Sequence, residues 1–306
     1  MRAPRAGSKA WLEAILGEPV LERRQLDPDY QRHTNRLWEV RTPTRRVVVR
    51  LPRRQAGRVA GSTAFWRGVG RLFGLRPGDV RRAAEAYRWL ADLGCLPVPR
   101  PLAVGLGARA HLVVEWLPGR MAASLDGLGA ALGEAVACLH ARRAPGWGPP
   151  GRACQPAETF HPRLLESLRW LAGRGSPRAE PRLEEELKQA EAALGRLPPP
   201  AWMAPLLLDW DHSQLVAEDG RILGLVDLDA LAVAPRELDL VGWELLLPAR
   251  EAEAFRAAYR RRLPWPELGA VRRPYRLWLR CIEFQGPVPL EAWLAQPARF
   301  AAAGGS

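Results

Sequence analysis

Lysine is almost missing from this 306-residue chain: Lys9 and Lys188 are the only two, so arginine carries nearly all of a formal charge that reaches +12. Histidine, methionine and cysteine are also sparse, at five, three and four residues. The cysteines, Cys95, Cys138, Cys154 and Cys281, show no CxxC or other metal-ligand spacing. That argues against a cysteine-held metal module, and the four read as reduced, structural thiols. No stretch approaches the roughly 18 consecutive apolar residues of a membrane span. The opening "MRAPRAGSKAWLEAILGEP" breaks its short apolar patch at Glu13, so a cytoplasmic protein without a signal peptide is expected.

What is present suits a globular protein of two lobes: 47% of residues are hydrophobic and 25% charged, enough to build a large core. The positive charge is unevenly placed. Residues 1–116 hold 22 Lys+Arg against 10 Asp+Glu, whereas residues 117–306 hold 23 of each. A basic first third is either an ordinary solvated surface or a lobe that handles phosphate or another polyanion.

The first third reads as one helix followed by strands. In "SKAWLEAIL", Ser8 is placed to cap a helix that Gly17 ends, and "NRLWEVRTPTRRVVVRLP" gives two strand-like runs around a turn. "GDVRRAAEAYRWLADLG" is a clear helix, with Val80, Ala84, Tyr87 and Leu90 on one face. "LAVGLG" and "AHLVVEWLPG" form a further hairpin. From Pro118 onward the period becomes helical, apart from "QLVAEDGRILGLVDL", two short strands about the hairpin signal Asp219-Gly220. The fold class is therefore α+β: a small, mainly antiparallel-β lobe over 1–116 and a large, mainly helical lobe over 117–306.

The stretch "LLLDWDHSQLVAEDGRILGLVDLDALAVAPRELDL" sets Asp209, Asp211, Asp227, Asp229 and Asp239 among leucines and valines, where a carboxylate is costly to desolvate. The hairpin brings Asp209 and Gln214, before its first strand, next to Asp227 and Asp229 at the end of its second. An amide oxygen facing carboxylates is an all-oxygen site suited to Mg²⁺ together with substrate phosphates. A carboxylate outside the metal shell can accept the proton of an attacking hydroxyl. The alternative is that these are turn and strand-end carboxylates of the sort common around hairpins.

These residues resemble the aminoglycoside phosphotransferase and choline kinase family, small-molecule kinases with a protein-kinase-like fold. The resemblance implies Asp209 as catalytic base, Gln214 and Asp227 as metal ligands, Asp229 as an additional ligand, and Asp239 as a brace for the loop; a helix N-terminal carboxylate is an equal reading for Asp239. "VVVRLP" looks like the strand that sets Arg50 on the nucleotide phosphates, with Glu85 as its helix partner. "HTNRLWEV" resembles the loop over the nucleotide, with Thr34 and Asn35 in the phosphate cover, though it lacks glycine. "LVVEWLPG" is similar to the hinge, where the backbone of Glu115, Trp116 and Leu117 would meet the adenine edge. The implied activity is ATP- and Mg²⁺-dependent phosphoryl transfer to a hydroxyl of a small molecule such as an aminoglycoside, sugar or amino alcohol. For a cationic acceptor, Asp211, Glu244 and Glu283 are candidate pocket acids.

Leu207 stands where the family motif has histidine, which keeps open a second reading: a catalytically degraded kinase-like protein that binds nucleotide or a partner without transfer. Residues 53–78 form an arginine-rich insertion with Phe65, Trp66, Leu72 and Phe73 interleaved. It reads as a helix packing its aromatics on the small lobe with arginines in water; the rival is a basic lid touching an anionic substrate, membrane surface or nucleic acid. No recognised nucleic-acid motif is present, and a nucleic-acid partner is not expected.

Overall fold

The computed structural model describes residues 4–26, 34–53, 63–152, 154–173 and 181–300. Helix α1 (Lys9–Leu16) starts where Ser8 Oγ accepts the Trp11 amide and ends at Gly17, whose φ of 69° is open to glycine without strain. Strands β1 (Glu22–Leu26), β2 (Asn35–Arg41) and β3 (Arg46–Pro52) follow, then α2 (Thr63–Phe73) and α3 (Val80–Leu93), then β4 (Pro101–Gly105) and β5 (His111–Glu115). The five strands form one antiparallel sheet in the order β1-β2-β3-β5-β4. Its one face is closed by Trp11, Leu12 and Leu16 of α1 packed on Val40, Val47, Val49 and Val113.

The helical lobe contains β6 (Arg120–Met121), α4 (Gly129–His140), α5 (Phe160–Ala172), α6 (Pro181–Leu194), α7 (Arg236–Leu246), α8 (Ala249–Arg260), α9 (Gly269–Cys281) and α10 (Leu290–Leu294). Between α6 and α7 run β7 (Met203–Leu207), β8 (Leu215–Glu218), β9 (Arg221–Leu225) and β10 (Leu231–Pro235). β7 pairs with β10, and β8 pairs with both β6 and β9. The turn between β8 and β9 has Asp219 and Gly220 at φ 48° and 72°, the left-handed pair that a two-residue hairpin needs.

Two expectations are corrected here. Cys95, just beyond α3, and Cys138, in α4, form a disulfide with Cα atoms 5.4 Å apart. They are not the reduced thiols read from their scattered spacing. The second correction concerns the insertion. Residues 54–62 lie outside the described residues, but α2 buries Phe65, Trp66, Val69, Leu72 and Phe73 against the large lobe, not the small one. Gly68 lies against Ile282 and Leu171, and Phe73 meets Trp147 and Trp278 edge-on at centroid distances of 6.1 and 6.2 Å. The arginines do face water, with Arg67, Arg71 and Arg76 exposed.

Candidate active site

Strand pairing builds the acidic site. β7 and β10 align Leu207 with Leu231, and the Leu208 amide donates to the Ala230 carbonyl at 3.2 Å. This fixes both the loop that leaves β7 and the one that enters β10. In the first loop Asp211 Oδ1 accepts the Ser213 amide at 2.8 Å and opens a single 3₁₀ turn, His212–Gln214. The Gln214 carbonyl then accepts the Val226 amide at 2.9 Å. That bond closes the base of the β8–β9 hairpin and sets Gln214 beside Asp227.

One guanidinium gathers the acids. Arg50 Nη2 donates to Asp227 Oδ1 and to Asp229 Oδ1, each at 2.9 Å, while its Nη1 lies 3.2 Å from the Tyr87 hydroxyl. The Asn35 amide nitrogen donates to the second oxygen of Asp229 at 3.3 Å and to Thr34 Oγ1 at 3.1 Å. Arg50 and the Asp229 carboxylate are both buried, whereas 40% of the Asp227 side chain is exposed. β2, β3, α3 and the segment after β9 therefore converge on a few polar atoms.

The electrostatics follow from crowding Asp209, Asp211, Asp227 and Asp229 together, with Arg50 paired to Asp227 and Asp229. Burial, reinforced by Asp227, Asp211 and Asp229, pushes the Asp209 carboxyl up to about 7. Burial also raises Asp229, against the pull of Arg50. The Arg50 charge suffers from its own burial, but Asp229, then Tyr87 and Asp227, more than offset that, and the guanidinium is held firmly protonated. Burial keeps Tyr87 a neutral phenol.

Among the described residues, no group of three His, Cys, Asp or Glu side chains stands ready as a metal cage. A Gln-plus-carboxylate set is a different proposition. Gln214 Oε1 is buried and has no hydrogen-bond partner among the described residues, a costly condition for an acceptor unless a donor or cation completes it. That orphaned oxygen, with the under-neutralised acids beside it, fits a hard divalent cation bound by a few protein oxygens.

Other expected residues lie where the sequence put them in the chain but with different partners. Glu85 points away from Arg50 and pairs with Arg152 at 3.7 Å, so the expected Arg50–Glu85 pair is not formed. The reason is the face of α3 that is buried: Tyr87 points inward and Glu85 is 41% exposed. In the segment expected to be the hinge, the Glu115 amide already donates to the Arg100 carbonyl at 3.0 Å and the Trp116 amide to the Arg46 carbonyl at 3.3 Å. The Glu115 carboxylate binds Arg100, the Arg46 guanidinium stacks 3.9 Å from the Trp116 ring, and Leu117 lies over Gly224. Of the stretch "HTNRLWEV", read as the loop over the nucleotide, His33 lies outside the described residues and Asn35 onward belongs to β2. Glu244 is fully buried between Arg272 and Arg276, which removes it from any acceptor pocket.

Two side chains escaped sequence reasoning. Tyr87 counted only as an apolar residue of α3, although a buried phenol always needs a partner for its oxygen. Trp210 is one tryptophan among thirteen, yet its indole N–H donates to Asp239 Oδ1 at 3.0 Å. The other Asp239 oxygen lies 3.2 Å from His140 Nε2.

Comparison with known proteins agrees with this architecture. Residues 30–278 match the model of the APH family, described as a phosphotransferase enzyme family. No curated protein matches. Among solved structures, a thermostable aminoglycoside phosphotransferase APH(4)-Ia mutant in ternary complex with ADP and hygromycin B aligns with a TM-score of 0.60 and 16% identity. That alignment covers 94% of this chain and 90% of the other. A fructosamine-3-kinase homologue from Thermobifida fusca gives 0.60 and 21%, covering 92% of each chain. Macrolide 2'-phosphotransferase MphH from Brachybacterium faecium gives 0.53 and 20%, covering 86% and 85%. With a two-lobed kinase-like fold and a family match over most of its length, the chain belongs to the APH phosphotransferase enzyme family.

Proposed function

We propose that the protein transfers the γ-phosphoryl group of ATP, with Mg²⁺, to a hydroxyl of a small molecule such as an aminoglycoside, sugar or amino alcohol. The observation that carries this reading is the crowding of negative charge at the site: Asp227, Asp211 and Asp229 all act on the buried Asp209, and of these four acids Arg50 pairs with Asp227 and Asp229. Such a cluster calls for further positive charge, and the orphaned Gln214 Oε1 adds a neutral ligand for it.

In this reading Gln214 and Asp227 hold the cation, with Asp229 in support, and Arg50 exchanges part of its carboxylate contact for nucleotide phosphate. Bound Mg²⁺ would neutralise charge on the phosphates and help orient them. Asp209 accepts the proton of the acceptor hydroxyl as its oxygen attacks phosphorus. A carboxyl near 7 is closely matched to that task, because a base works best when its pKa lies near the working pH. Asn35, Thr34 and the Glu115–Leu117 segment border the nucleotide, and positioning supplies much of the rate.

Calorimetric titration with a non-hydrolysable ATP analogue, with and without Mg²⁺, tests the binding half. Mg²⁺-dependent binding supports it, and no binding in either condition refutes it. An acceptor screen tests the chemistry: Asp209→Asn abolishes transfer while the analogue still binds, and retained turnover removes Asp209 from the role of base.

A second reading, nucleotide binding without transfer, draws on one observation. Arg50 is clamped by both Asp227 and Asp229, an arrangement that a nucleotide must break before its phosphates can use the guanidinium. An active acceptor in the screen excludes this reading.

A further inference from the structure

The hydroxyl of Tyr87 joins three elements. Tyr87 is 1% exposed in α3; Arg50 Nη1 of β3 lies 3.2 Å from its oxygen and the backbone amide of Asp227 lies 2.9 Å from it. Both neighbours are donors, so the phenol oxygen accepts from each. Asp227 itself has a φ of 61°, a left-handed conformation that a residue other than glycine adopts only when its surroundings hold it there. The Tyr87 hydroxyl is such a hold. Leu207 is buried and apolar, with no group to offer this segment.

The chemistry of the tie also matters. A carboxylate from α3 would compete with Asp227 and Asp229 for the guanidinium. A neutral phenol fixes Arg50 in direction and leaves its charge to the aspartates or to an arriving anion. Glu85, the one acid of α3's middle turns, faces Arg152 instead.

We infer that Tyr87 is a positioning residue for the nucleotide site: its hydroxyl sets the Asp227 backbone and the Arg50 guanidinium in register, so that a cation and the phosphates can be bound together. The inference rests on the phosphotransferase reading above and deepens it.

Tyr87→Phe keeps the ring and removes only the oxygen. Binding of a non-hydrolysable ATP analogue is measured with and without Mg²⁺ for the native protein, for Tyr87→Phe, and for Tyr275→Phe. The last variant loses another buried hydroxyl, one bonded to His161 at 3.0 Å. In Tyr87→Phe the Mg²⁺-dependent affinity falls about tenfold, the size expected when buried donors lose their acceptor. Affinity without Mg²⁺ falls less, and the Asp227 amide exchanges faster with solvent. Tyr275→Phe melts at a lower temperature but keeps the full advantage that Mg²⁺ confers. A native-like Mg²⁺ advantage in Tyr87→Phe overturns the inference, as does an equal loss in both variants, which would mark a general effect on stability. Absence of binding by the native protein, scored before any variant, overturns the phosphotransferase reading and this one with it.

Discussion

The Trp210 indole N–H donates to Asp239 Oδ1 at 3.0 Å, tying the residue that follows Asp209 to the first turns of α7. Both side chains are buried, and the other Asp239 oxygen reaches His140. The loop carrying Asp209 is thus anchored from below by a carboxylate that already has a second partner. Trp210→Phe keeps an aromatic ring in place but strands one Asp239 oxygen. Chemical denaturation should show a loss of about 1–3 kcal/mol, the cost of a buried acceptor left unpaired. A neutral result would mean that the loop is held by its backbone bonds alone.

Cys95 and Cys138 are 43 residues apart in sequence, and their bond closes a loop of that length. The chain-entropy argument gives such a cross-link about 3–4 kcal/mol of stabilisation, mostly through the unfolded state. Cys95→Ser, or reduction of the native protein, should lower the melting temperature by a corresponding amount. A non-reducing peptide map should recover the Cys95–Cys138 pair. Four freely alkylated thiols in the oxidised, unfolded protein would refute the bond.

Acid should weaken the large lobe through His161. Its imidazole is buried against Tyr275, and burial lowers its pKa from 6.5 to about 4. Between those two values the unfolded chain binds a proton that the folded chain refuses, so stability falls as pH drops through that window and is retained above it. The loss is about 2 kcal/mol once partial solvent screening is allowed for. Denaturation curves at pH 7 and pH 4.5 measure it, and in His161→Phe the difference between the two should shrink. An unchanged difference would assign the acid sensitivity to other groups.

Gly68 marks a close approach of α2 to the large lobe, where an added Cβ would meet Ile282 and Leu171 side chains. Gly68→Val therefore overpacks that contact and should destabilise by about 1–3 kcal/mol. The same change at Gly74, which has open space around its Cα but a φ of 68°, acts through backbone strain and not packing. A pair of Ile282→Ala and Gly68→Val that restores stability would locate the contact directly, because coupled neighbours fail to add.

Local rules made much of this fold legible. The Ser8 cap, the Gly17 stop, the Asp219-Gly220 turn and the hairpins β2–β3 and β4–β5 all depend on residues within a few positions of one another. The acidic hairpin was readable for the same reason: its turn and strand lengths decide that Gln214 returns to Asp227. The β7–β10 pair was not readable. Its strands are buried on both faces and lack alternation, so "MAPLL" and "LAVAP" carry no period to recognise.

Side-chain direction was the second limit. Glu85 and Tyr87 are two residues apart on one helix, and charge favoured Glu85 as the partner of Arg50. The orientation of α3 decided otherwise, because its apolar face includes Tyr87 and turns toward the sheet. The same limit hid the disulfide: helical periodicity says nothing about which two of four scattered cysteines face each other, here one just past the end of α3 and one within α4.

The docking of α2 changes how the polypeptide can be cut. A fragment ending near residue 116 would contain the whole five-stranded sheet, yet Phe65, Trp66, Val69, Leu72 and Phe73 would have lost the helices that cover them. Such a fragment exposes a contiguous aromatic stripe and is prone to aggregate. During synthesis the same stripe must wait for α5 and α9, more than 85 residues further along the chain, before it can be buried. The sheet and the helical lobe are thus stitched by a segment that leaves the first and is buried against the second.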